Sequence, residues 1–151
     1  ARVMRHVGLD VIYSSPLRRA VQTAETVARP LHLPVRIEPR LMEIHQGDWQ
    51  GYLRSEISAR YPEVFRRWQV EPWNVSPPGG ESLFQVQKRV NAALDEILTR
   101  HRGLCIGLFT HRIPIALIKM RYQKLDPDIV RRIALPNTYW EDIRLDEMRP
   151  K

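Results

Sequence analysis

The sequence predicts an α/β fold: three layers, with a mostly parallel sheet between helices on both faces. Two observations predict it. Short apolar runs alternate along the chain with longer segments whose apolar residues recur at helical spacing, the order expected when helices pack on a parallel sheet. One run, Leu104–Phe109, is continuously apolar, as in a strand buried on both faces.

Val3, Met4 and Val7 suggest the end of a helix, with Gly8 as its C′ stop. Leu9–Tyr13 is a short apolar run and predicts a buried strand. Ser15-Pro16 then has the form of an N-cap followed by proline at N1. Leu17, Ala20, Val21, Ala24, Val27 and Ala28 follow at helical spacing until Pro30, and Val35–Glu38 alternates like a strand. Leu41–Gly51 is irregular, but Gly47 and Gly51 on either side of Trp49 suggest a tightly built loop. Ile57–Val70 predicts helical pieces anchored by Tyr61, Phe65 and Trp68. Pro72–Gly80 holds three prolines and two glycines and is short enough to be a loop within one domain. Glu81–Arg100 is the clearest helix, with Leu83, Val86, Val90, Leu94, Ile97 and Leu98 in one stripe, and Gly103 stands at its end. Ile113–Met120 reads as helical, and Thr138–Leu145 alternates like a last strand.

A chain of 151 residues suits a single domain, residues 1–151, with a real core. Hydrophobic residues make up 43% and charged residues 27%, ordinary for a soluble globular protein. No apolar run reaches the length of a membrane span, and the first residues lack the apolar stretch of a signal peptide, so no membrane partner is expected. The lone Cys105 cannot form an internal disulfide. It lies in an apolar run, which suggests core packing and a cytoplasmic setting. The net charge of +7 is spread over separate pairs such as Arg18-Arg19, Arg66-Arg67 and Arg131-Arg132. Without a basic run or a recognition motif, no nucleic-acid partner is expected.

In open α/β sheets ligands bind beyond the carboxyl ends of the strands. Two predicted strands carry polar residues there: one runs into Tyr13-Ser14-Ser15-Pro16-Leu17-Arg18-Arg19, the other into Thr110-His111-Arg112. Arg18 and Arg19 fall in the first turn of a helix, where the dipole already disfavours cations, so they mark a candidate anion site. Arginine suits phosphate because its planar fork binds two oxygens at once. The plainer alternative is that both side chains point to solvent. His111 directly follows a buried strand and is either a ligand-facing group or a satisfied structural histidine. Glu43, a carboxylate among apolar neighbours, is a candidate general acid, and His45 beside it could line a pocket. His6, His32 and His101 read as surface residues. Trp49, Trp68, Trp73 and Tyr52 could cap a pocket, although aromatics more often fill a core.

Four segments in order carry a family resemblance. Ser14-Ser15-Pro16-Leu17-Arg18-Arg19-Ala20-Val21-Gln22-Thr23-Ala24, Leu41–Gly51, Pro78-Gly79-Gly80-Glu81-Ser82 and Thr110-His111 together resemble the motifs of the histidine phosphatase, or phosphoglycerate-mutase-like, family. The resemblance runs from about Gly8 to Leu145. It implies a phosphoglycerate-mutase-like fold and phosphoryl transfer without metal or cofactor on a small phosphorylated substrate. By match, Arg19 would hold phosphoryl oxygens, and His111 would stabilise the transferring group. Glu43 would protonate the leaving oxygen and then serve as base for water. Ser15, Arg112 and His45 are further pocket candidates. Arg112 stands where the family usually has glycine. The short stretch between Trp49 and Gly79 favours a phosphatase over a phosphoglycerate mutase. A homodimer is compatible with the resemblance.

The family's attacking histidine closes a first strand, followed by a loop and helix before the serine motif. Here only eight residues separate His6 from Ser15, so Arg5-His6 is not read as that motif. The expectation is a chain truncated at its N-terminus, lacking the first strand and the nucleophile and inactive by itself. The alternative to an enzyme is a chain that only binds phosphorylated ligands.

Overall fold

The computed structural model describes residues 7–136 and 139–145, apart from the side chain of Arg131. The helix end proposed around Val3 and Met4 lies outside the described residues.

Three strands form one parallel sheet: β1 (Val11–Ser14), β2 (Val35–Ile37) and β3 (Ile106–Phe109), in the order β2-β1-β3. Ile12 lies opposite Val35 on one side and Gly107 on the other. All four residues of β1 are buried, because the strand is central in the sheet and covered on both faces. Ile12 packs with Leu9 and with Ala24, Val27 and Ala28 of helix α1 (Arg18–Ala28). Val11 and Tyr13, on the opposite pleat, pack with Leu41 and with Ala93 and Ile97 of α4 (Leu83–Arg100). β3 divides in the same way, with Ile106 and Leu108 on the α4 side and Phe109 on the α1 side. The layers are therefore helix, sheet, helix, as the sequence predicts.

Helices α2 (Arg54–Arg60) and α3 (Pro62–Val70) occupy the stretch expected to be helical in pieces. Trp49 sits edge-on to both Phe65 and Trp68, with ring centroids 5.6 Å apart in each pair. Those indoles are core, whereas Tyr52 is exposed with the Arg60 guanidinium 4.2 Å above its ring. α4 starts with a full capping box: Ser82 Oγ accepts the Gln85 N–H, and Gln85 Oε1 accepts the Ser82 N–H. α5 (Arg112–Gln123) packs on α4 through Ile113, Ala116 and Leu117 against Val86, Val90 and Leu94, and a short α6 (Ile129–Arg132) follows.

Three expectations need correction. β3 is not fully buried: among the described residues it forms one edge of the sheet, Gly107 is its one buried residue, and Leu104 ahead of it is exposed. Residues 139–145 form no strand, and Thr138 lies outside the described residues. Alternation sorts faces but cannot supply a strand neighbour. This segment is instead tied to α5 by side chains, with Lys119 reaching Tyr139 and Glu141 and Gln123 reaching Glu141. Helix α1 begins at Arg18, with Leu17 rather than Ser15 at the N-cap position. Ser15 Oγ accepts the Leu17 N–H in a turn just before the helix.

The loop 45–48 and the turn 77–81 meet backbone to backbone. The Asp48 N–H donates to Pro78 O and the Glu81 N–H to His45 O. Glycine is required at this contact. A Cβ on Gly47 would lie 2.0 Å from Pro78 O, and one on Gly80 2.6 Å from His45 O. Among the described residues, no helix is long and apolar enough to cross a membrane. Cys105 is half-buried with its thiol 3.6 Å from Val7 O, and burial raises its pKa.

Two alanine substitutions separate steric from conformational strain. Gly47→Ala combines a left-handed backbone with a backbone clash and is expected to destabilise the fold by about 2–5 kcal/mol. Gly51→Ala has the same φ sign but open space, so it should lose only about 1–2 kcal/mol in urea unfolding. Equal losses would show that the loop gives way at residue 47.

Candidate functional site

The register of β1 and β3 decides which polar residues meet. Ser14 is paired with Phe109 at the last rung, and the Ser15 N–H still donates to Phe109 O at 2.9 Å. The chain beyond each strand therefore leaves the sheet side by side, Ser15 from one and His111 from the other. His111 Nε2 lies 2.8 Å from Ser15 Oγ. Arg19, second residue of α1, reaches back so that its Nε–H donates to His111 Nδ1 at 3.1 Å.

These contacts define the imidazole's state. A guanidinium only donates, so Nδ1 must be the acceptor and the ring proton resides on Nε2, which donates to Ser15 Oγ. His111 is therefore neutral. Its ring is buried, and that burial, followed by the positive charges of Arg19 and Arg89, lowers its pKa to about 4. Arg19 itself is exposed. Its Nη groups have no hydrogen-bond partner among the described residues, so donors remain available for an incoming anion.

Glu43 enters from the other side. Its Oε1 accepts the N–H of Ile44 at 3.0 Å and of Ile113 at 3.2 Å. Ile113 is the second residue of α5, whose own N-cap, His111, offers no side-chain cap. A carboxylate from another segment thus serves the helix start. Oε2 accepts none of the hydrogen bonds among the described residues. Thr110 Oγ1 donates to Leu41 O at 2.6 Å, joining the end of β3 to the segment that carries Glu43.

Ser15, Arg19 and His111 are thus bonded directly, and Glu43 joins them through the backbone next to His111. Two other candidates face elsewhere. His45 is exposed, with Nδ1 3.1 Å from Gly79 O and 3.2 Å from the Gly47 N–H, and its tautomer selects between them. Arg112 is exposed, with Nη1 3.4 Å from the carbonyls of Val130 and Ile133. Among the other described histidines, His101 bonds the Tyr13 hydroxyl at 3.0 Å, and His32 lies in an exposed turn. His6 lies outside the described residues.

Arg89 was not singled out from sequence, and Glu81 entered there only as part of the Pro78–Ser82 motif. Arg89 binds both oxygens of Glu81 and the carbonyls of Arg40, Met42 and Glu43. The available signal was an arginine beside the buried stripe residues Val86 and Val90.

A cation with spare N–H groups, an imidazole N–H and a hydroxyl at strand ends form a receptor for a tetrahedral anion. A nearby carboxyl group can move a proton. Residues 1–151 match the model of the histidine phosphatase superfamily (branch 1), and the chain belongs to that family. It is 38% identical over 141 residues to phosphoserine phosphatase 1 of Hydrogenobacter thermophilus, covering 93% of this chain and 67% of that protein. It is 32% identical over 146 residues to phosphoglycerate mutase-like protein 4 of Arabidopsis thaliana, covering 95% of this chain and 62% of that protein. Among solved structures, YhfR of Bacillus stearothermophilus superposes with a TM-score of 0.76 at 31% identity, over 85% of this chain and 64% of the other. A mycobacterial glucosyl-3-phosphoglycerate phosphatase in complex with VO3 gives 0.74 at 29% identity, over 88% and 67%. The chain thus spans about two thirds of the length of these proteins.

The state of His111 has a consequence for stability. Between pH 6.5 and about 4 the unfolded chain takes up a proton that the folded one refuses. The contribution is therefore complete above pH 6.5 and is lost as pH falls toward 4. Urea unfolding across that range should lose roughly 2–3 kcal/mol more in the wild type than in His111→Gln. Parallel pH profiles for the two proteins would show that the ring titrates normally.

Proposed function

We propose that this single domain carries the phosphoryl-binding and proton-transfer groups of a phosphatase acting on small phosphomonoesters through a phosphohistidine intermediate. The observation that supports it most is the bonded group Ser15–His111–Arg19 at the carboxyl ends of two adjacent parallel strands. Arg19 holds phosphoryl oxygens through its Nη groups, and as the anion binds, the His111 Nε2–H passes from Ser15 Oγ to a phosphoryl oxygen. A histidine nitrogen attacks phosphorus, forming a P–N bond while the P–O bond to the alcohol breaks. Glu43, protonated, gives its proton to the departing oxygen. As a carboxylate it then takes a proton from water, whose oxygen displaces the histidine and releases inorganic phosphate. All these roles use protein groups alone.

His111 already has both ring nitrogens engaged, one by Arg19 and one by Ser15, and so is a poor attacking group. It is also the one described histidine in this group. That favours a second reading for the 151-residue chain by itself, phosphate binding without turnover.

Calorimetry with inorganic phosphate tests the binding half. Arg19→Ala should weaken affinity about 10- to 100-fold, the loss of a charge-assisted contact, and an unchanged affinity would remove Arg19 from the site. The 151-residue chain alone should leave 4-nitrophenyl phosphate unhydrolysed. Turnover by it would overturn the reading of this chain as one that binds phosphate without hydrolysing it. In any form of the protein that turns over, Glu43→Gln is expected to lower kcat for alkyl phosphates about 100-fold, and less for 4-nitrophenyl phosphate, whose leaving group needs little protonation. Equal losses on the two substrates would sink the proton-donor role.

A further inference from the structure

Residues 42–46 lie in neither helix nor strand, yet they carry Glu43. Irregular backbone near a core must satisfy its polar groups by some other means. Here one ion pair does so, between Arg89 of α4 and Glu81 just ahead of that helix. Arg89 has five N–H donors and makes five contacts. Nε and Nη2 bond Glu81 Oε1 and Oε2 at 2.8 and 2.9 Å, and Nη1 bonds the carbonyls of Arg40 and Met42 at 2.7 and 2.8 Å. Nη2 also bonds the Glu43 carbonyl at 3.1 Å. Glu81 Oε2 in turn accepts the His45 N–H at 2.9 Å. The backbone is therefore gripped on both sides of residue 43. The grip is rigid because Glu81 immediately precedes the capping box of α4.

We propose that the Glu81–Arg89 pair is the positioning element for Glu43: it sets the rotation of the segment so that Glu43 Oε1 falls on the Ile113 N–H beside His111. This rests on the reading of Glu43 as proton donor. A purely structural part is already filled by other residues. Leu41 and Ile44, 0% and 6% exposed, anchor the segment in the core by their side chains. They fix where the segment docks, whereas Arg89 fixes how the residue between them is turned. Lysine cannot replace it, because a single ammonium offers three donors from one point and cannot span five acceptors.

The Ile113 amide gives a direct readout in 15N-labelled protein. Glu43→Gln defines the displacement of that signal when its carboxylate acceptor is altered. Arg89→Met and Arg89→Lys are expected to move it in the same direction and to speed its hydrogen exchange at least about 10-fold, while the Ile12 amide in the sheet stays as in wild type. A folded Arg89→Met protein with the Ile113 signal unmoved would overturn the proposal, as would restoration of the wild-type signal by lysine. If the Arg89 variants do not fold, Glu81→Gln, which keeps the carbonyl contacts of Arg89, must still move the signal. An Ile113 amide unmoved in that variant counts against the proposal equally. The two readings separate cleanly. Ile113 displaced while Glu43→Gln keeps full alkyl-phosphate turnover ends the proton-donor role alone, and the reverse pattern ends the positioning role alone.

Discussion

The parallel pairing of β1 with β3 is the constraint on which the candidate site depends. Its last rung joins Ser14 to Phe109, so both chains leave the sheet at the same level. Ser15 and His111 become neighbours because of that register, although 96 positions separate them in the chain. A slip of one residue would reverse every side chain between the α1 and α4 faces. It would bring Ile12 to the α4 layer and Val11 and Tyr13 to the α1 layer. The same burial that specifies the sheet therefore specifies which polar groups meet above it.

The site is assembled by mutual satisfaction rather than by a single motif. Arg19 fixes the tautomer of His111, and His111 bonds the hydroxyl of Ser15, which also accepts the Leu17 N–H ahead of α1. Glu43 replaces the missing side-chain cap of α5. Each polar group thus has both a local structural partner and an orientation suited to an anion. A neutral imidazole flanked by arginines adds no further positive charge to the site.

Much of the fold was legible because burial leaves periodic marks. The short run before Ser15 and the stripe of α4 mark faces that leave water, whereas the run at Leu104–Phe109 marks a strand that is only half-buried at the sheet edge. Residues 139–145 show the limit of that signal, since alternation cannot say whether a neighbouring strand exists. Arg19, Glu43 and His111 were visible from chemistry at strand and helix ends. Arg89 was not, because its partners are mainly carbonyl oxygens, which every residue possesses and no sequence pattern displays.

The contact of loop 45–48 with turn 77–81 gives the chain a neck. The chain leaves this junction at Trp49, and it is fastened again at Pro72 and Trp73, whose carbonyls accept the N–H groups of Leu83 and Phe84 at the start of α4. The excursion has its own small core of Trp49, Ile57 and Phe65. Changes of loop length inside it add only a slowly growing closure entropy. The stretch from Gln50 to Glu71 can therefore vary, provided the glycines of the neck and the attachment of Pro72 and Trp73 to α4 are kept.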